Sequence, residues 1–164
     1  MHSREQGFTL TELVSALAIV GVMAAVAIPT YQTFVLRTQV SEALELAGTL
    51  RNGVAEYQAN TGAWPQSVKD LGLDRNKVGN RVIDLSIDSG TLVATFGGTS
   101  APRLNGKTLV LRPGLLVTGD SEQVVWQCGN QRLEKSGLKV DFSGTADVAT
   151  SIEDTLLPGE CRAR

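Results

Sequence analysis

The chain has 164 residues, two cysteines, one histidine and a formal charge of −2. That is enough for one membrane helix and one modest domain. The balance lacks the basic excess of a dedicated nucleic-acid binder, and the only histidine, His2, stands near the N-terminus, so neither a Ser-His-Asp nor a Cys-His arrangement is evident in the body of the chain. Residues 8–28 are mostly Phe, Leu, Val, Ile, Ala and Met. As a helix they cover roughly 30 Å, the thickness of a bilayer's hydrocarbon core. A transmembrane helix is the first reading. A secretory signal ends at a small-residue cleavage site, and no clear break divides this run from the residues after it. Glu12 stands inside the run, where a carboxylate needs a partner. One partner is local: Thr9-x-x-Glu12 is a capping-box pattern, with Thr9 as N-cap and the Glu12 side chain reaching back.

A short polar leader, then Gly7-Phe8-Thr9-Leu10-Thr11-Glu12-Leu13, then an apolar helix, resembles the class III signal of type IV pilins. The resemblance covers about the first third of the chain. Beyond it, Thr61-Gly62-Ala63-Trp64-Pro65 and a Cys pair near the C-terminus match more loosely. It implies a leader peptide over residues 1–7, cleavage of the Gly7–Phe8 bond by a prepilin peptidase, and methylation of the new Phe8 N-terminus. Arg4 and Glu5 cancel in this leader, whereas family leaders are usually net basic. The family's acidic residue, fifth counting from Phe8, falls on Glu12. There the resemblance implies a second partner, the cationic amine of Phe8 on a neighbouring subunit. Such a pair neutralises both charges and sets register. The family's proline falls on Pro29. The chain is implied to be exported, and an even cysteine count on an exported chain favours one disulfide, Cys128–Cys161. Closing a loop of about thirty residues is worth roughly 3–4 kcal/mol. Two reduced core thiols are the alternative.

Pro29 removes a backbone donor and clashes with the carbonyl one turn earlier, so a helix kink is expected there, with Gly21 as a second weak point. The plain reading is a static bend; the resemblance implies that the stretch from Gly21 to Pro29 loosens in a filament. Past Pro29 the pattern becomes amphipathic. Leu36, Val40, Ala43, Ala47, Leu50, Val54 and Tyr57 recur at spacings of four and three, which is one helix face. The prediction is one helix from Phe8 to about Asn60. Residues 8–28 are its transmembrane or filament-core half, and residues 29–60 its amphipathic half. Asn60-Thr61-Gly62 ends it with turn chemistry. Gly48 and Gly53 allow close packing of a sheet or a neighbour.

Residues 61–80 read as a helix–sheet connector in which Trp64 packs on the helix. Residues 81–128 read as an antiparallel sheet. Residues 81–87 alternate from Ile83 onward, Asp88-Ser89-Gly90 makes a hairpin turn, and residues 91–96 form a second strand. Residues 107–112 are a third strand, stopped by Pro113-Gly114. Residues 123–128 are a fourth, entered through Gly119-Asp120. One face of this meander must pack on the amphipathic helix half, with Trp126 on that face or at its edge. Residues 129–164, a disulfide-bounded C-terminal region, have weak periodicity. Residues 138–142 within them read as a short extra strand or edge segment.

The expected class is α+β: a long N-terminal α-helix packed on a four-stranded antiparallel β-sheet, the type IV pilin fold. The function implied is a structural subunit that polymerises through its N-terminal helix into a helical filament, a homo-oligomer serving adhesion, twitching motility or DNA uptake. Its implied partners are the inner membrane before assembly, the prepilin peptidase and the pilus assembly machinery. Its implied place is the inner membrane and then the extracellular pilus of a Gram-negative bacterium. A minor pilin that binds DNA, a pseudopilin of a type II secretion system and a membrane-anchored enzyme share parts of the pattern. The cysteine pair favours a pilin over a major pseudopilin. In the tail, Arg132, Lys135, Lys139, Arg162 and Arg164 are locally basic and are offset by Glu134, Asp141, Glu153, Asp154 and Glu160, which favours a mixed solvated surface over a DNA patch. No residue is assigned to catalysis, a cofactor or a metal, since two cysteines and His2 cannot complete a zinc shell and no phosphate-binding glycine loop joins a strand to a helix.

Overall fold

The computed structural model describes residues 7–73, 79–119, 121–133 and 139–163. The expectations for residues 1–6, for the middle of the connector, for Asp120 and for Leu138 fall outside the described residues. The chain divides into two compact units, Met1–Val35 and Leu36–Arg164, and one helix, α1 (Leu10–Thr61), supplies residues to both.

Within the second unit, α1 buries Leu36, Val40, Ala43, Ala47, Leu50 and Val54. These are six of the seven residues of the expected stripe; Tyr57 is only half-buried. The helix ends where Gly62 takes φ +70° and its N–H caps the Gln58 carbonyl at 2.8 Å. A left-handed glycine at that place satisfies a carbonyl that the helix would otherwise leave orphaned. Of the two glycines in this half of the helix, Gly53 faces Leu71 closely, with room for a Cβ only at 3.2 Å from its Cδ1, whereas Gly48 has open space beside it.

The sheet holds β1 (Val82–Asp88), β2 (Thr91–Phe96), β3 (Thr108–Thr118) and β4 (Ser121–Cys128) in the order β1-β2-β3-β4. Every neighbouring pair is antiparallel, and a two-residue β5 (Val140–Asp141) adds to β3. The β1–β2 turn places Ser89 at φ +46° and Gly90 at φ +79°, the two left-handed positions of a tight hairpin. Side chains from α1 and the strands meet in one core that includes Val40, Ala47, Val54, Leu92, Phe96, Leu109 and Leu111. Trp126 packs against this core, and Arg51 of α1 lies 5.4 Å above its ring. Trp64 is buried, and its indole N–H donates to the Ser143 carbonyl.

Two strand readings need correction. Ile83 does not share a face with Leu85 and Ile87: it is exposed, while Val82 is fully buried. The register shifts between Val82 and Asp84, and this bulge inserts one extra residue that turns Ile83 outward over Gly97. The second correction concerns Pro113-Gly114, which does not stop β3. Pro113 pairs with Trp126 and the strand runs on to Thr118. The paired run with β2 ends at Leu111, and β5 joins β3 at Leu115. Proline thus falls in the gap between two partners along one edge, where a missing N–H costs no ladder bond. Gly114 is needed for what crosses it: a Cβ there would stand 2.5 Å from Val140 Cγ1.

Candidate functional site

The first unit carries the apolar half of α1. Here Leu13, Leu17, Val20, Val22 and Val26 are all exposed, Val22 to 70%. It is the one helix among the described residues that is long and apolar enough to cross a membrane. Val22, Met23, Val26, Ala27, Tyr31 and Phe34 line an open apolar groove along it. Soluble chains rarely leave so continuous an apolar surface in water, so this one is made for lipid or for other helices.

Backbone polarity in this stretch is handled locally. Glu12 Oε2 accepts from the Thr9 N–H at 2.9 Å and from the Thr9 hydroxyl, and the Glu12 N–H donates to Thr9 Oγ1 at 3.3 Å. This reciprocal pair is the capping box read from the sequence. Ser15 donates to the Glu12 carbonyl, Thr30 to the Val26 carbonyl and Thr33 to the Pro29 carbonyl. Pro29 lies inside α1, where its missing N–H cannot serve the Ala25 carbonyl; the two threonine bonds fall on the carbonyls of Val26 and Pro29 itself. Gly7 and Phe8 precede the helix; a Cβ on Gly7 would meet nothing within 4 Å, and Phe8 is exposed. Gly7, Phe8 and Glu12 therefore cluster at one end of α1, while Gly21 and Pro29 lie farther along it.

The second unit carries the other predicted element. Cys128 and Cys161 form a disulfide with Cα atoms 4.6 Å apart. Cys161 is fully buried, and its carbonyl accepts from the Asn130 N–H at 2.8 Å. The region it closes is held far more by side chains than by strand pairing. Arg112 is the main clamp: Nε donates to Thr145 Oγ1 at 2.9 Å, Nη1 pairs with Asp147 at 3.1 Å, and Cζ lies 4.9 Å from the Phe142 ring. Thr91 donates to the Ala146 carbonyl, the Val110 N–H to Thr150 Oγ1 and the Thr108 N–H to Ser151 Oγ. The Ser143 hydroxyl and N–H both bond Asp141 and hold its carboxyl below the usual aspartate range. Sequence reasoning missed Arg112. Its only signal was a cation in the middle of an apolar strand, a place where a charge must be paired.

Comparison with known proteins bears on both units. The family described as Pilin (bacterial filament) matches residues 36–162. The chain belongs to the pilin family. A second match, the Prokaryotic N-terminal methylation motif, covers residues 2–28. Type IV major pilin protein PilE1 of Neisseria gonorrhoeae is 33% identical over 99% of this chain and 89% of its own length. A fimbrial protein of Neisseria meningitidis serogroup A is 33% identical over 99% and 96%, and fimbrial protein EcpC of Eikenella corrodens 34% identical over 77% and 83%. This pilin is thus a structural pilus subunit and not an enzyme. Filaments assemble from such subunits, and the apolar helix suits a membrane-anchored stage followed by a place in the pilus.

Proposed function

We propose that this pilin is a major subunit whose residues 8–28 serve twice, first as an anchor in the inner membrane of a Gram-negative bacterium and then as the filament core. The observation that carries the proposal is the apolar half of α1, exposed along its length, while the later half of the same helix buries its apolar stripe. A prepilin peptidase removes residues 1–7 by cutting the Gly7–Phe8 bond, and the Phe8 amine is methylated. The open space around Gly7 and the exposure of Phe8 support access by an enzyme.

In the anchored monomer Glu12 caps its own helix through Thr9. In the filament its carboxylate exchanges that local partner for the Phe8 amine of the next subunit, which removes two lone charges from an apolar core and fixes register. Pro29 inside α1, with its missing N–H, supports a stretch from Gly21 to Pro29 that loosens as the pilus machinery packs subunits together. Such a fibre serves adhesion, twitching motility or DNA uptake.

Mass spectrometry of sheared surface fibres tests this reading. The dominant protein should be this chain, starting at Phe8 and heavier by one methyl. Gly7→Val should leave the leader in place, because a cleft shaped for a residue without a side chain has no room for the isopropyl group. Fibres whose subunits still start at Met1, or in which this chain is only a trace component, would refute it.

A further inference from the structure

Arg37 is the first charged residue after Glu12; residues 13–36 carry none. In a chain anchored through residues 8–28, such a residue belongs at the level of lipid headgroups. The second unit gives Arg37 a specific companion. Its Nε and Nη2 both donate to the Thr155 carbonyl, at 3.1 and 3.0 Å. Arg162, from the far end of the chain, donates Nη2 to the same carbonyl at 3.4 Å and Nε to the Leu157 carbonyl at 2.9 Å. Two guanidinium groups thus converge on one oxygen, and both residues are half-buried.

Neither forms an ion pair among the described residues. Of the neighbouring acids, Glu153 pairs with Arg103 at 2.8 Å, while Asp154 Oδ1 accepts from two neutral donors, the Ala163 N–H and the Asn130 amide. Glu160 is exposed and forms no ion pair among the described residues. A carbonyl orients two cations but neutralises neither, and close like charges repel. The Nη1 of each remains as a donor that no described residue uses. The spare Nη1 donors of two guanidinium groups that share one carbonyl suit the oxygens of a phosphate, an anion that arginine binds by charge-assisted hydrogen bonds.

We propose that Arg37 and Arg162 form a phosphate-binding pair that grips the phosphodiester of a phospholipid headgroup while the subunit waits in the membrane. It rests on the membrane-anchored stage proposed above. The pair holds the C-terminal segment at the bilayer surface, and extraction into a filament releases the lipid.

The test uses the full chain, with its arginines labelled at the guanidinium carbon, in vesicles of phosphatidylethanolamine and phosphatidylglycerol. Solid-state NMR reads dephasing of that carbon by lipid phosphorus. Wild type should show a dephased fraction that falls by roughly half or more in the Arg37→Gln/Arg162→Gln double variant and persists in Arg132→Gln, since a paired fork holds phosphate within contact distance. An unchanged fraction in the double variant overturns the proposal. If that variant fails to fold, judged by its melting curve, the wild type still decides: complete absence of dephasing in these vesicles overturns the pair. Equal dephasing in phosphorus-free detergent with inorganic phosphate assigns the site to free phosphate and overturns the lipid assignment. Flotation separates the two readings: a chain that does not float with vesicles refutes the membrane stage, whereas one that floats without dephasing refutes only the phosphate pair.

Discussion

Removing the Cys128–Cys161 bond probes the least regular part of the fold. The two residues are 33 apart in sequence. Loop-closure entropy for a separation of that size amounts to about 3.7 kcal/mol at room temperature. The Cys128→Ala/Cys161→Ala pair also removes two buried sulfurs, which moves the expected loss toward the upper end of about 2–5 kcal/mol. In a domain of this size the melting temperature should fall by roughly 10 °C. Urea unfolding of the full chain in mild detergent, followed by the fluorescence of Trp64 and Trp126, measures the loss directly. Reduced wild type isolates the link from the sulfurs and should lose about 3–4 kcal/mol. The folded tail should stay docked at lower stability, because the Arg112 clamp and the hydroxyl bonds to β3 do not depend on the link. A reduced protein within about 1 kcal/mol of the oxidised one would refute the reasoning, since the unfolded chain would then gain no freedom from reduction.

Gly114→Val should drive a side chain into Val140 and the Phe142 ring, now 2.5 and 2.9 Å from where a Cβ would stand. The cost should be about 1–3 kcal/mol, and hydrogen exchange should show β5 losing protection while β1 and β2 keep theirs; full protection of Val140 and Asp141 would contradict the packing. Asp141 should titrate below an ordinary aspartate, because the Ser143 hydroxyl and N–H bond its charged form. A lowered folded pKa means that its contribution to stability is present above the unfolded value and is lost as pH falls through the folded one. Carboxyl NMR should show Ser143→Ala shifting that midpoint upward, and an unmoved midpoint would remove the hydroxyl from the account.

The helix was legible because its signals were redundant. Six stripe residues from Leu36 to Val54 keep one period, and Gly62 supplies the left-handed stop. The β1–β2 hairpin was legible for the same reason, with Ser89-Gly90 fixing the turn and hence the register. Ile83 was misread because a bulge leaves no mark in a period-two pattern; Val82, Ile83, Leu85 and Ile87 are all apolar, and only the partner strand decides which face each takes. Pro113 was misread because its cost depends on whether a strand faces that edge, and the gap there is set by where β2 stops, at Leu111, and where β5, from a distant part of the chain, begins, at Leu115. The tail was least legible. Its order comes from single bonds such as Arg112 to Thr145 and Val110 to Thr150, which have no period. Cys128 and Cys161 were the exception, as two cysteines leave one pairing. At the other end, Thr9 and Glu12 were readable as a local cap, but the capping geometry cannot report a partner that only a second subunit provides.

That Glu12 joins subunits is the central claim, and fibre assembly by Glu12→Gln measures it most directly. Glutamine keeps the size and much of the capping capacity at Thr9 but has no charge to offer the Phe8 amine. The variant should insert, lose its leader and fold with the Cys128–Cys161 bond intact. It should nonetheless give few and short fibres, alone and when mixed with wild type, because each joint leaves a cationic amine buried without its counter-charge. Electron microscopy of surface fibres, with immunoblots of processed subunit in the membrane, reads both sides. Processed subunit accumulating beside sparse fibres is the predicted result; fibres of wild-type number and length from Glu12→Gln would contradict the claim and leave the carboxylate as a helix cap alone.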